Sequence, residues 1–215
     1  MINFIKQRLG SFYHSISFRL FLLLFFLLIF LFGGYSTICS MMQQNIYETT
    51  VGQSAYRASD LIKKSLYRLM LSNEREELYY TILTIGDEPG INRIRIYNKK
   101  GEIKFSTNET ETGNIVDMKA EACYGCHSEN QPIESLTTQQ KTRIYRSSQN
   151  ERVLGLINPI RNSSDCTSST CHYHSPDQTI LGVLDVQMSL ADLDAALMRN
   201  RLTIFIISII VVAIT

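Results

Sequence analysis

The sequence predicts an α+β domain, an antiparallel sheet with a long N-terminal helix, flanked by two transmembrane helices. Three observations predict it. Apolar runs stand near both ends of the 215 residues. Apolar residues at helical spacing follow the first run, and beyond Pro89 the period shifts from helical to two. The length leaves room for one domain of ordinary size plus membrane segments.

Residues 1–19 are expected to lie in the cytoplasm, and residues 20–40 to form the first transmembrane helix. From Leu20 the chain reads LFLLLFFLLIFLF and continues through Gly33-Gly34-Tyr35 to Ile38. A helix needs about 20 apolar residues to span a bilayer. The alternative is a cleaved signal peptide, since Gly34-Tyr35-Ser36 has small-x-small form. The run is longer than the usual signal core of about 7–15 residues, which favours an uncleaved anchor. Cys39 follows Ile38, where a lipid-attachment site would need a small residue, and reads as a free thiol near the membrane.

Charge sets the orientation. Lys6, Arg8 and Arg19 precede the run, and the next basic residue is Arg57. The excess of basic residues keeps the N-terminus inside and puts the middle of the chain outside. All twenty acidic residues fall between Glu48 and Asp194, where they outnumber the sixteen Lys and Arg from Arg57 to Arg161 by four. That balance argues against a nucleic-acid partner, which calls for a basic face.

Residues 41–200 form the expected extracytoplasmic domain. Ile46, Val51, Ala55, Ala58, Ile62, Leu66, Leu69 and Met70 make one stripe of a long amphipathic helix from Met41 to about Ile85, stopped by Asp87-Glu88-Pro89-Gly90. Such a stripe packs on the domain core, or pairs two chains in a homodimer. Ile94, Ile96, Ile103 and Phe105 then alternate with charged residues around Asn98-Lys99-Lys100-Gly101, predicting a hairpin with one buried face. Further strands are expected over Thr142–Ser147, Arg152–Ile160 and Thr179–Met188, with a turn at Gln149-Asn150. A helix from Leu190 to Asn200 follows, with Asp192 and Asp194 near its positive end. Residues 202–215 start a second transmembrane helix. Fourteen residues cover only about 21 Å of a core of about 30 Å. The chain is therefore expected to continue into a cytoplasmic part, the alternative being a short tail anchor.

The chemistry concentrates in Cys123-Tyr124-Gly125-Cys126-His127. Two cysteines two residues apart, with histidine next, form the attachment pattern for a c-type haem. Each thiol makes a thioether to one vinyl group of the macrocycle, and the imidazole takes the proximal iron position. Cys166, Cys171 and His172 repeat the pattern with four residues between the cysteines. The expected cofactors are two c-type haems, held by Cys123, Cys126, Cys166 and Cys171, with His127 and His172 on the iron. A four-thiolate zinc site and two local disulfides are the alternatives. Neither requires a histidine directly after the second cysteine, which occurs here twice.

His14 precedes the first span and cannot reach a haem. Distal candidates are Met70, Met118 and His174; His174 lies two residues beyond His172 and is so placed to serve the other haem rather than its own. Four axial positions face at most three imidazoles, so one is held by a weaker ligand or left open. No Ser–His–carboxylate set, phosphate-cradling glycine loop or paired catalytic carboxylates are present, and Asp185 in an apolar strand decides nothing alone.

The order of long helix, hairpin Ile94-Arg95-Ile96-Tyr97-Asn98-Lys99-Lys100-Gly101-Glu102-Ile103 and closing strand Leu181-Gly182-Val183-Leu184-Asp185-Val186 resembles extracytoplasmic PAS or Cache sensor domains. Those lie between the membrane helices of histidine kinases and methyl-accepting chemotaxis proteins. With two haem motifs in the sheet, the chain is similar to c-type haem sensor domains of anaerobic bacteria. The resemblance implies a bacterial inner-membrane protein with its central domain in the periplasm, sensing redox state or a small gas and signalling through a two-component system. A histidine kinase output domain would lie beyond residue 215. The alternative is a membrane-anchored dihaem cytochrome c that passes electrons to a redox partner.

Overall fold

Where the helical spacing gives way after Gly90, the chain forms strands. The computed structural model describes residues 16–116, 137, 139–147, 149–168 and 174–214. Over these the chain is α+β, with a long N-terminal helix and a five-stranded antiparallel sheet. The elements are α1 (Ile16–Leu71), α2 (Arg75–Gly86), β1 (Ile91–Asn98), β2 (Ile103–Ser106), β3 (Thr142–Arg146), β4 (Arg152–Arg161), α3 (Ser164–Ser168), β5 (Ile180–Ser189) and α4 (Ala191–Ile214). The strands lie in the order β2-β1-β5-β4-β3. β5 therefore sits at the centre, between the two hairpins.

The chain divides into two compact units, Glu48–Asp194 and Met1–Tyr47 with Ala195–Thr215. In the first, α1 buries Ala55, Ser59, Ile62 and Leu66, spaced three and four apart along one stripe. Ile62 and Leu66 pack with Leu78 and Ile82 of α2 and with Ile94, Ile96, Leu184 and Val186 of the sheet. Ala55 packs with Leu154, Leu156 and Leu190 in a second cluster. Full burial of each such aliphatic side chain contributes roughly 1.5–3 kcal/mol. Between the clusters lies a polar seam. Asn158 Nδ2 donates to Ser59 Oγ at 3.3 Å, and Lys63 Nζ donates to Asn158 Oδ1 at 2.7 Å.

The structure departs from the sequence expectation at two places. The helix expected from Met41 to about Ile85 is two helices, broken at Ser72-Asn73-Glu74. Asn73 has φ 58°, and the Asn73 and Glu74 amides donate to the carbonyls of Met70 and Leu69. That is a Schellman cap, with asparagine in the left-handed position where glycine is commoner. The hairpin also buries more than one face. A bulge between Ile96 and Tyr97 pairs Ile96 with Phe105 but Tyr97 with Ile103. Ile103 consequently joins Tyr97 on the face opposite Ile94 and Ile96, because directly paired residues share a face.

That opposite face centres on Asp185, 1% exposed. Its Oδ2 accepts from Arg95 Nε at 3.0 Å and Nη2 at 2.7 Å, from Tyr97 Oη at 2.8 Å and from Gln187 Nε2 at 3.1 Å. Burial, the largest single influence, pulls the Arg95 pKa down, but the charge and hydrogen bond of Asp185 together with Tyr97 and Glu111 outweigh it and hold it above its ordinary value. Among the described residues, Asp185 Oδ1, Arg143 Nη2 and Ser147 Oγ on the same face are buried without a hydrogen-bond partner.

In the other unit, Asn200 Nδ2 donates to Gln43 Oε1 and Arg201 Nε to Ser40 Oγ, both at 2.7 Å. Among the described residues one helix, Ile16–Leu71, is long and apolar enough to cross a membrane, a property a signal sequence shares.

Candidate cofactor cavity

The second cysteine loop begins where β4 ends. Asn162 closes it, its backbone amide donating to Thr179 O at 2.9 Å and its side-chain Nδ2 to Ser175 O at 3.0 Å and Gln178 O at 2.8 Å. Within the loop α3 starts at Ser164, and the Cys166 amide donates to Ser163 O at 3.0 Å. The His174 amide donates to Cys166 O at 3.3 Å, which brings the chain back to the cysteine after the second motif. Cys166 is a free thiol and 8% exposed.

A cavity of about 260 Å³ opens beside this loop and collects three of the residues singled out from sequence: Cys166, His174 and Met70. Met70 comes from the last turn of α1, immediately before the Schellman cap, and Asn73 and Glu74 of the cap also line the space. Leu78 of α2, Ile96 and Phe105 of the first hairpin and Ile160 of β4 supply apolar walls. Gly182 of β5 completes the far side, where a Cβ would stand 2.4 Å from the Tyr97 carbonyl oxygen. Only glycine permits that approach. Among the described residues, Arg75, Arg161 and Lys104, the last ion-paired with Glu102, also line the cavity, against one acid, Glu74.

These residues suit the group that the motif implies. A thiol stands ready for covalent attachment, an imidazole and a thioether are the two commonest additional iron ligands, and much of the wall is apolar. The cations match the carboxylates a haem carries on one edge. Haem held here would supply a one-electron iron centre with tunable potential.

Cys123, Cys126, His127 and Met118 lie outside the described residues, as do Cys171 and His172. Among the described residues there is no group of three or more His, Cys, Asp or Glu side chains able to hold a metal ion. Of the six motif residues, Cys166 alone is among the described ones.

Sequence reasoning missed one contact. Tyr67 of α1 shares a hydrogen bond with Ser163 Oγ at 3.0 Å and donates to Asp165 Oδ2 at 3.0 Å, and Ser163 Oγ lies 3.3 Å from Cys166 Sγ. The Ser163 contact lowers the Tyr67 pKa, but burial and Asp165 outweigh it and leave the phenol above its ordinary value. Tyr67 precedes Met70 by three residues, so the same helix face signals both.

No family model matches the chain, and no curated protein sequence matches it.

Proposed function

We propose that this chain is the extracytoplasmic sensor module of a membrane-bound bacterial signalling protein, carrying two covalent c-type haems. The observation that carries the reading is the cavity itself, which brings Cys166, His174 and Met70 together at the end of α1. A plain electron carrier has no need to place a candidate iron ligand on a helix that also contains the apolar run. In a sensor that placement has a use. An event at the cavity would reach Met70 and, through α1, the membrane.

The fold supports a PAS or Cache relationship, because the long helix, hairpin and closing strand occur in the order on which that resemblance rests. Two flanking transmembrane helices, residues 20–40 and 202–215, agree with the large exposed apolar residues Leu23, Phe26, Phe30, Phe205 and Ile209. The Lys6, Arg8 and Arg19 cluster keeps the N-terminus in the cytoplasm and the central domain in the periplasm of the inner membrane. A homodimer through the long helix, a histidine kinase output domain and a redox or small-gas signal complete the reading.

His127 and His172 would hold the two irons, with Cys123, Cys126, Cys166 and Cys171 as covalent anchors. Met70 would serve a remaining position at the Cys166 haem, while His174, too close in sequence to His172 to reach the far face of that haem, and Met118 would serve the other haem. A weakly held position is what lets a ligand change bias two conformations of the protein.

Full-length protein made in a host with c-type maturation should show two haems per chain by pyridine haemochrome and keep haem staining on a denaturing gel. Carbon monoxide should bind to the reduced form at one haem only, and Met70→Ala should change the spectrum of that haem. One haem per chain would remove the Cys166–Cys171 assignment. Two haems that refuse carbon monoxide and ignore Met70→Ala would make the chain an electron carrier.

A further inference from the structure

We propose that Tyr67 is a positioning residue, a latch that fastens the Cys166 loop to the last turns of α1 and sets where the cysteine sulfur stands. Its purpose rests on the haem reading above, whereas the latch itself can be tested on the thiol alone.

The hydrogen count fixes how the latch is wired. Tyr67 has one hydroxyl hydrogen, and Asp165 Oδ2, an acceptor only, takes it at 3.0 Å. The 3.0 Å contact between Tyr67 Oη and Ser163 Oγ must then run from the serine, whose only hydrogen it uses. Ser163 Oγ is left as an acceptor toward Cys166 Sγ at 3.3 Å, so the thiol hydrogen closes the chain. Thioether formation adds sulfur and hydrogen across a vinyl double bond, so one S–C and one C–H bond form while S–H and the π bond are lost. No oxidant is required. The sulfur then has no hydrogen to give, yet the two contacts of Tyr67 are untouched. The latch therefore holds the loop equally before and after attachment, and ties it to the helix that carries Met70 one turn further on.

The full chain, made without haem maturation, allows a direct measurement. Cys166 is 8% exposed, so N-ethylmaleimide reaches it only when the loop opens. Loss of a hydrogen bond to a charged acceptor should make opening about tenfold more frequent. Peptide mass spectrometry should show Cys166 alkylation in Tyr67→Phe about tenfold faster than in the unaltered chain. Ser163→Thr, which keeps a hydroxyl, should restore the slow rate that Ser163→Ala loses. Tyr79→Phe, whose hydroxyl meets Glu109 elsewhere, is the control and should leave the rate unchanged. An unaltered rate in Tyr67→Phe, or an equal acceleration in Tyr79→Phe, would overturn the latch. In matured protein, Tyr67→Phe should keep the haem count and shift the midpoint potential of one haem. Unchanged potentials beside a faster apo rate would overturn the role toward the cofactor. Absence of haem would defeat the functional reading while the alkylation rates still decide the latch.

Discussion

The two faces of the sheet solve burial in different ways. The face under α1 and α2 is aliphatic, built from Ile94, Ile96, Leu154, Leu156, Leu184 and Val186, with one polar seam at Ser59 and Asn158. The other face carries Arg95, Tyr97 and Gln187, all converging on a single carboxylate oxygen of Asp185. Dispersion and area removal hold the first face, so it tolerates exchange of one aliphatic residue for another of similar volume. A charge that stays buried only while paired holds the second, and no partner can be removed alone. The cavity with Cys166 lies on the first face, where walls are adaptable.

The largest effect that would sharpen this contrast comes from Asp185→Ala. Among the described residues Arg95, whose side chain is 14% exposed, would keep Glu111, 3.9 Å away, as its ion-pair partner and the Tyr97 ring, 5.3 Å from its guanidinium. Removing one partner of a buried pair costs about 3–5 kcal/mol. Urea unfolding of the full chain in detergent should show that loss, and Asp185→Asn should show much less. A loss below about 1 kcal/mol would place the pair among surface ion pairs and erase the distinction between the faces.

Asn158→Ala probes the seam and should cost less. It leaves the Ser59 hydroxyl buried without its partner and takes the acceptor from Lys63, for about 1–3 kcal/mol. Asn158→Leu replaces the amide by apolar volume and should recover part of that loss. If Asn158→Leu is the worse of the two, the seam is an obligatory polar register between helix and sheet, and the first face is less adaptable than its aliphatic residues imply.

The two faces also differ in how far sequence reveals them. The α1 stripe was legible because residues three and four apart share a helix face, and Ala55, Ile62 and Leu66 are buried as that spacing requires. Ser59 sits on the same stripe, but a serine carries no apolar signal. β4 and β5 are buried on both faces, so alternation, the cue that separates an inner from an outer face, is lost in them. Asp185 was visible as a lone acid in an apolar strand. Its partners were not, because Arg95 reaches it only through the pairing of β1 with β5, ninety residues apart in sequence. The break at Asn73 was missed for a local reason: the Leu71-Ser72-Asn73-Glu74 stretch holds neither Gly nor Pro, and asparagine alone supplies the left-handed turn. At the site, the residue types of the second cysteine loop were legible, whereas the approach of Tyr67 depends on how α1 crosses the sheet.

The smallest effect lies at the edge of the seam, where Lys63 also approaches Asp60. Asp60 accepts from Lys64 at 2.9 Å and lies 3.5 Å from Lys63. The Lys64 hydrogen bond, aided by the charges of both lysines and opposed by burial, holds the Asp60 pKa below its ordinary value. A carboxylate whose pKa is lower folded than unfolded stabilises the fold above the unfolded value, about 3.9, and loses that contribution as pH falls through the folded value. The stability difference between the unaltered chain and Asp60→Asn should therefore be full at pH 6 and shrink toward zero on acidification past about pH 4. Side-chain exposures of 31% for Asp60 and 71% for Lys64 keep it small, and salt should screen it. Unfolding curves at pH 6 and pH 2.5, each with and without 1 M sodium chloride, decide the matter. A difference that survives at pH 2.5 would mean that Asp60 acts by steering Lys63 toward Asn158 rather than by its charge, and would make it part of the seam.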